Sequence, residues 1–191
     1  VYVAGKFVIN GGNIIKNEAQ NGGGVYVGAN AHLIMNGGNI INNEAEFGGG
    51  VYVVRTDGNG ESTLTMSGGN ITGNTAIGAD ANSGGVYSMG SLSISGNVKI
   101  TGNLRKSQDN DTGVADNLHL KTYYKIIKIN DEIEETANIG VTKVTVPTPD
   151  NPVAITNDYG TDYSGYFHSD NKQYKVYYDD SDKKLKLKLL N

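Results

Sequence analysis

Ile14-Ile15-Lys16-Asn17-Glu18-Ala19-Gln20-Asn21-Gly22-Gly23-Gly24-Val25-Tyr26-Val27 recurs as Ile40-Ile41-Asn42-Asn43-Glu44-Ala45-Glu46-Phe47-Gly48-Gly49-Gly50-Val51-Tyr52-Val53. Weaker echoes run from Ile71 to Tyr87 and from Ile100 onward. Short β-branched segments divided by glycines and returning at a loose period are the signature of a solenoid, in which each turn stacks on the last. The successive spacings from Val1 to Val25, Val51 and Val86 are 24, 26 and 35 residues, and the variation falls in the bends.

Aligning the copies gives columns. Val1, Val25, Val51 and Val86 form one; Val3, Val27 and Val53 form its partner, broken by Ser88. Strand side chains alternate faces, so inward valines place Tyr2, Tyr26, Tyr52 and Tyr87 outward. A second strand carries the columns Phe7, Leu33, Leu64, Leu92 and Ile9, Met35, Met66, Ile94. Glycine pairs then mark a bend before a third short strand at Ile14, Ile40, Ile71 and Ile100. Coil four has one extra residue between Gly96 and Asn103, which predicts a bulge. Three short strands per turn describe an all-β parallel β-helix with about 4.8 Å between coils. Helix is disfavoured by the β-branched runs and glycine pairs.

Asn17, Asn43, Asn74 and Asn103 each stand three residues after an inward isoleucine. An amide at a bend supplies a donor and an acceptor to backbone groups that lack ladder partners, so this column predicts a structural Asn ladder. Ala19, Ala45 and Ala76 follow at a fixed offset, as at a tight corner.

Composition divides the chain. Of 27 glycines, 23 precede residue 105, whereas 26 of the 36 Lys, Arg, Asp and Glu lie from residue 105 onward. Residues 1–146 therefore read as coils, with Asn117-Leu118-His119-Leu120 opening a fifth. Its second and third strands are expected at Lys125–Ile129 and Ile139–Val141. Residues 147–191 read as a C-terminal β cap: three prolines break the pattern, then two strands flank Asp179–Asp182. Alternating Lys and Leu over 183–189 reads as a protected outer edge. The chain opens directly on a repeat element, so it reads as a piece of a longer protein.

The unit Ile-x-x-Asn-x-Ala followed by Gly-Gly-Gly-Val-Tyr, at Ile14–Tyr26 and Ile40–Tyr52, resembles the repeats of chlamydial polymorphic outer membrane proteins. Here Ile stands for the Phe of that family and Gly for its Ala. The chain is also similar, over most of its length, to the Gly-Gly-Asn-Ile repeats of large surface proteins of gut Firmicutes. That similarity includes Ile139–Thr142 and Tyr166-Phe167. The resemblance implies a right-handed parallel β-helix on an exported, cell-surface protein of adhesin type.

The formal charge of −4 argues against nucleic acid or an anionic membrane surface as partner. No apolar run approaches the roughly 20 residues that span a bilayer, and the absence of Cys rules out disulfides and Cys-ligated metal. The outward Tyr2, Tyr26, Tyr52 and Tyr87 are the candidate ligand-binding strip, for sugar rings or a protein pocket; equally, neighbouring rings stiffen a sheet. Insert loops at 55–62, 77–83 and 105–112 are a second candidate surface. Glu18 and Glu44 form the one aligned acid pair, near the separation of a retaining glycosidase pair of about 5 Å. Asp57–Glu61 and Asp109–Asp111 alternate oxygen side chains as a Ca²⁺ loop does, without the full pattern. His32, His119 and His168 occupy different repeat contexts. No catalytic residue, metal site or cofactor is assigned. The expectation is a non-enzymatic extracellular structural or adhesive module presenting a β-helix face to glycan or to a host or bacterial surface protein. The alternative is a fragment of a β-helix polysaccharide lyase or glycoside hydrolase.

Overall fold

The computed structural model describes residues 1–56, 60–121, 126–157 and 159–190. Strands of successive coils pair in parallel and in the register that the repeats dictate. In the first stack Val25, Val51, Val86 and Leu118 are partners along one column, and Val3, Val27, Val53, Ser88 and Leu120 along the next. The second stack aligns Phe7, Leu33, Leu64, Leu92 and Ile127. The third aligns Ile14, Ile40, Ile71, Ile100, Ile139 and Phe167. The result is a parallel β-solenoid of about five turns with a single apolar core. Each fully buried Leu, Ile or Val contributes about 1.5–3 kcal/mol relative to exposure. Ser88 interrupts the valines without orphaning its hydroxyl, which donates to the Gly90 carbonyl at 3.2 Å.

The bends follow from the same columns. Between Ile94 and Asn97 the register with Met66 and Gly68 slips by one residue, so the expected bulge is present, with Gly96 at φ 61°. The corner after the Asn column holds a fourth short sheet, Glu44–Ala45, Thr75–Ile77 and Leu104–Lys106, where the repeats suggested only a bend. Inside that corner the Asn amides run head to tail. Asn43 donates through both its backbone N–H (2.9 Å) and Nδ2 (3.0 Å) to Oδ1 of Asn74, and Asn74 repeats this toward Asn103. The second Nδ2 hydrogen of Asn43, Asn74 and Asn103 reaches the Ile14, Ile40 or Ile71 carbonyl one coil back at 2.8–2.9 Å. Amide and backbone are thereby satisfied away from water. Gly24, Gly50 and Gly85 are required here: a Cβ on Gly50 would lie 2.8 Å from the Gly85 carbonyl oxygen and 3.0 Å from Asn74 Nδ2.

In coil five the glycine position is taken by Asn117, whose own side chain fills the missing rung. Its Oδ1 accepts from Asn103 N–H at 2.8 Å and Nδ2 at 3.0 Å. The ladder stops on Asp170, an acceptor-only group that receives the Asn117 backbone N–H at 2.8 Å and Nδ2 at 2.5 Å.

Ile127–Ile133 supplies the second strand of coil five; Lys125, expected to begin it, lies outside the described residues. Asn138–Lys143 serves twice, pairing Ile139 with Ile100 and Val141 with Leu118. Within 147–191, Thr156 and Phe167–Ser169 still add rungs to the coils before the hairpin Tyr174–Asp179/Lys184–Leu189 closes the core with Leu185 and Leu187. One expectation is corrected. The Lys/Leu strand is no outer edge, because Val153–Ala154 pairs it on one side and Tyr174–Asp179 on the other. Its alternation is two-faced burial, with leucines on the core and Lys186 paired to Asp179 (2.8 Å) and Asp182 (3.0 Å).

Candidate functional site

The tyrosine column forms a stacked ladder. Ring centroids of Tyr2–Tyr26, Tyr26–Tyr52 and Tyr52–Tyr87 lie 5.4, 5.2 and 5.4 Å apart, with interplanar angles of 17°, 9° and 18°. Each inner ring thus has both faces covered by its neighbours, and the row shows ring edges and hydroxyls to solvent. Tyr2 is 71% exposed, and Tyr26 and Tyr52 are half-buried. Tyr87 departs from the outward, open position the columns suggested: it is 4% exposed because Phe47 packs against it at 5.8 Å and Lys121 sits 5.7 Å over its ring. Burial, with the Tyr87 and Tyr26 hydroxyls adding, raises the Tyr52 phenol above its ordinary pKa. Among the described residues the Tyr2, Tyr26 and Tyr52 hydroxyls make no protein hydrogen bond, so their donors and acceptors face solvent.

Glu18 and Glu44 are bridge partners in parallel register and border a shallow depression of about 530 Å³ with Gln20, Glu46 and Ile77. Glu18 is exposed and Glu44 half-buried. Asp111 is spent on its own loop, accepting from Ser107 N–H (3.2 Å), Ser107 Oγ (3.0 Å) and Gly113 N–H (3.1 Å). The Gly113 and Ser107 bonds hold its carboxyl below the usual range. Asp57, Gly58 and Asn59 of the other oxygen-rich loop lie outside the described residues. Among the described residues no group of three or more His, Cys, Asp or Glu could hold a metal ion, and no helix is long and apolar enough to cross a membrane.

A constellation not found from the sequence lies where the repeat ends. Arg105 stands in register with Ala76. Asp116 and Asn117 replace the second and third glycines of the triplet, and His119 is the partner of Tyr87. Asp116 is buried; it accepts from the Ser83 N–H at 3.0 Å, lies 3.4 Å from Arg105 Nε and 3.2 Å from His119 Nδ1. The His119 side chain is 9% exposed, its ring 5.5 Å from Tyr87, and its Nε2 has no partner among the described residues. Asp170 also takes the Thr142 hydroxyl at 2.8 Å. Burial raises its carboxyl pKa, against the lowering pull of the Asn117 and Thr142 hydrogen bonds. Arg105, Asp116, Thr142, Asp170, Asn171 and Lys172 border a cleft of about 680 Å³. The signal was present as broken columns: Ala gives way to Arg, Gly to Asp and Asn, Tyr to His. The contribution of Asp170, 53 residues beyond Asn117, was not legible.

Comparison of the chain with protein-family models, with curated proteins and with solved structures returns no match. What the chain itself defines is its fold, a parallel β-solenoid with an internal Asn ladder.

Proposed function

We propose that the chain is a non-enzymatic structural and adhesive module of a larger bacterial cell-surface protein, presenting one solenoid face to glycan or to a host or bacterial surface protein. The observation that carries this reading is the row Tyr2–Tyr26–Tyr52, stacked at the coil interval, whose hydroxyls have no protein partner among the described residues. Ring stacking fixes their side chains before any ligand arrives, which reduces the entropy lost on binding. Because the inner faces are covered, recognition runs through hydroxyls and ring edges rather than through sugar rings laid on open aromatic faces. The extracellular, surface location rests on the repeat resemblance. The double variant Tyr26→Phe/Tyr52→Phe tests the reading, since it keeps the stack and deletes the hydroxyls. Loss of binding to a glycan or protein hit with an unchanged melting curve supports it. Undiminished binding would sink the tyrosine-face reading and place the contact elsewhere on the chain.

A second reading, a carbohydrate-active enzyme fragment, draws on the in-register Glu18 and Glu44 in their shared depression. It requires turnover of a polysaccharide that Glu44→Gln abolishes.

A further inference from the structure

We propose that the cleft between the Arg105–Asp116 corner and the Asp170–Lys172 turn binds a monosaccharide-sized polyhydroxy acid, that is, a sugar unit bearing one carboxylate. Its volume of about 680 Å³ falls within the roughly 300–1,000 Å³ of small-molecule sites. Three separate parts of the chain converge on it: residues 105–116, Thr142 and the turn 170–172.

The polar groups are of two kinds. Asp170 is the acceptor on the cleft wall; Asp116 beside it is buried and already engaged by Ser83, Arg105 and His119. Asp170 receives three hydrogen bonds, from Asn117 N–H, Asn117 Nδ2 and Thr142, of the roughly four that a carboxylate takes. These oxygens suit hydroxyl donors. Arg105 engages Asp116 through Nε, which leaves the remaining guanidinium donors for a planar anion. Lys172 is exposed and makes no ion pair among the described residues. A bare anion would meet two carboxylates, and a neutral sugar would leave both cations unused. A hydroxylated carboxylic acid matches both sets. Closing the ladder and the solenoid end accounts for Asp116, Asn117 and Asp170. It does not account for the Arg105 guanidinium donors beyond the Nε that meets Asp116, nor for Lys172 on the facing turn.

The test is an NMR titration of the whole chain with D-glucuronate, D-galacturonate, D-glucose and acetate. Saturable shifts with a uronate are expected at Arg105, Ala115, Asp116, Thr142, Asn171 and Lys172, with glucose and acetate at least about tenfold weaker. Lys172→Ala, at an exposed position that spares folding, and Arg105→Lys, which keeps the charge but loses the fork, are each expected to weaken the uronate roughly tenfold. The proposal is overturned by the absence of saturation at millimolar uronate or by equal affinity for glucose. It is equally overturned by shifts at Tyr26 and Tyr52 instead of the cleft, or by unchanged affinity in both variants.

Discussion

Asn74 is fully buried in the middle of the amide ladder, and replacing it with alanine strips partners from groups that water cannot reach. The Asn43 backbone N–H, whose hydrogen bond goes to Asn74 Oδ1 at 2.9 Å, loses that acceptor. The Ile40 carbonyl loses the Asn74 Nδ2 donor at 2.9 Å. By contrast, Asn43 Nδ2 keeps the Ile14 carbonyl at 2.9 Å, and Asn103 Oδ1 keeps the Asn74 backbone N–H at 3.0 Å. Two orphaned buried groups at about 1–3 kcal/mol each, plus the space left by the amide, give a loss of roughly 3–5 kcal/mol. That is a large part of the about 5–15 kcal/mol that separates folded from unfolded domains. At about 2–4 °C per kcal/mol for a chain of this size, the melting temperature should fall by about 10 °C. Asn17→Ala is the matched control. Asn17 is exposed at the first rung, and its side chain only donates, to Asn43 Oδ1 and the Ile15 carbonyl. Its removal should cost under about 1 kcal/mol. Thermal and urea unfolding followed by far-UV circular dichroism measure both. Equal, small losses in the two variants would refute the claim that the buried ladder holds the corners.

Three further outcomes follow from particular contacts. Gly50→Ala drives a Cβ to 2.8 Å from the Gly85 carbonyl oxygen and the Ile71 side chain, so it should destabilise by about 1–3 kcal/mol in a urea melt, whereas Gly11→Ala, with nothing within 4 Å, should be tolerated. The Asp170 carboxyl has its pKa raised by burial, so the folded state holds its proton more tightly than the unfolded state. Its stabilising contribution is therefore complete below the unfolded pKa and is lost as pH rises through the folded one. Asp170→Asn should gain on the wild type as urea midpoints are compared from acid to neutral pH, and a constant difference would contradict this. Lys143 occupies the inward column after Leu120, donates to the Ala154 carbonyl at 2.7 Å, and is lowered by burial to about 8. The folded state then binds fewer protons, and stability should rise from about pH 8 toward the ordinary lysine pKa; Lys143→Met should flatten that rise in the same assay.

The coils were legible in the sequence because a repeat supplies its own register. Once Val25 aligned with Val51, the positions of Tyr26, Leu33, Ile40 and Asn43 followed by strand alternation, and a single extra residue after Ile94 showed as a bulge. What the repeat could not supply is how far each ring or corner is covered. Tyr87 belongs to the tyrosine column by sequence, yet Phe47 and Lys121 cover it. The fourth short sheet was hidden because Glu44–Ala45 and its partners are only two or three residues long. The cleft was illegible for a different reason. Arg105, Asp116 and His119 each break a column singly, and only the fold brings Arg105 and Asp116 to one cleft with Asp170 from the cap. The Lys184–Leu189 strand misled because alternation reports two-sidedness, not whether neighbours flank both edges.

The most direct test of the adhesive reading is a glycan-array screen of the intact chain, with new reducing ends assayed on every glycan that binds. Binding that Tyr26→Phe/Tyr52→Phe abolishes and that releases no reducing ends is the expected result. Reducing-end release that disappears in Glu44→Gln would contradict it and make the solenoid an enzyme.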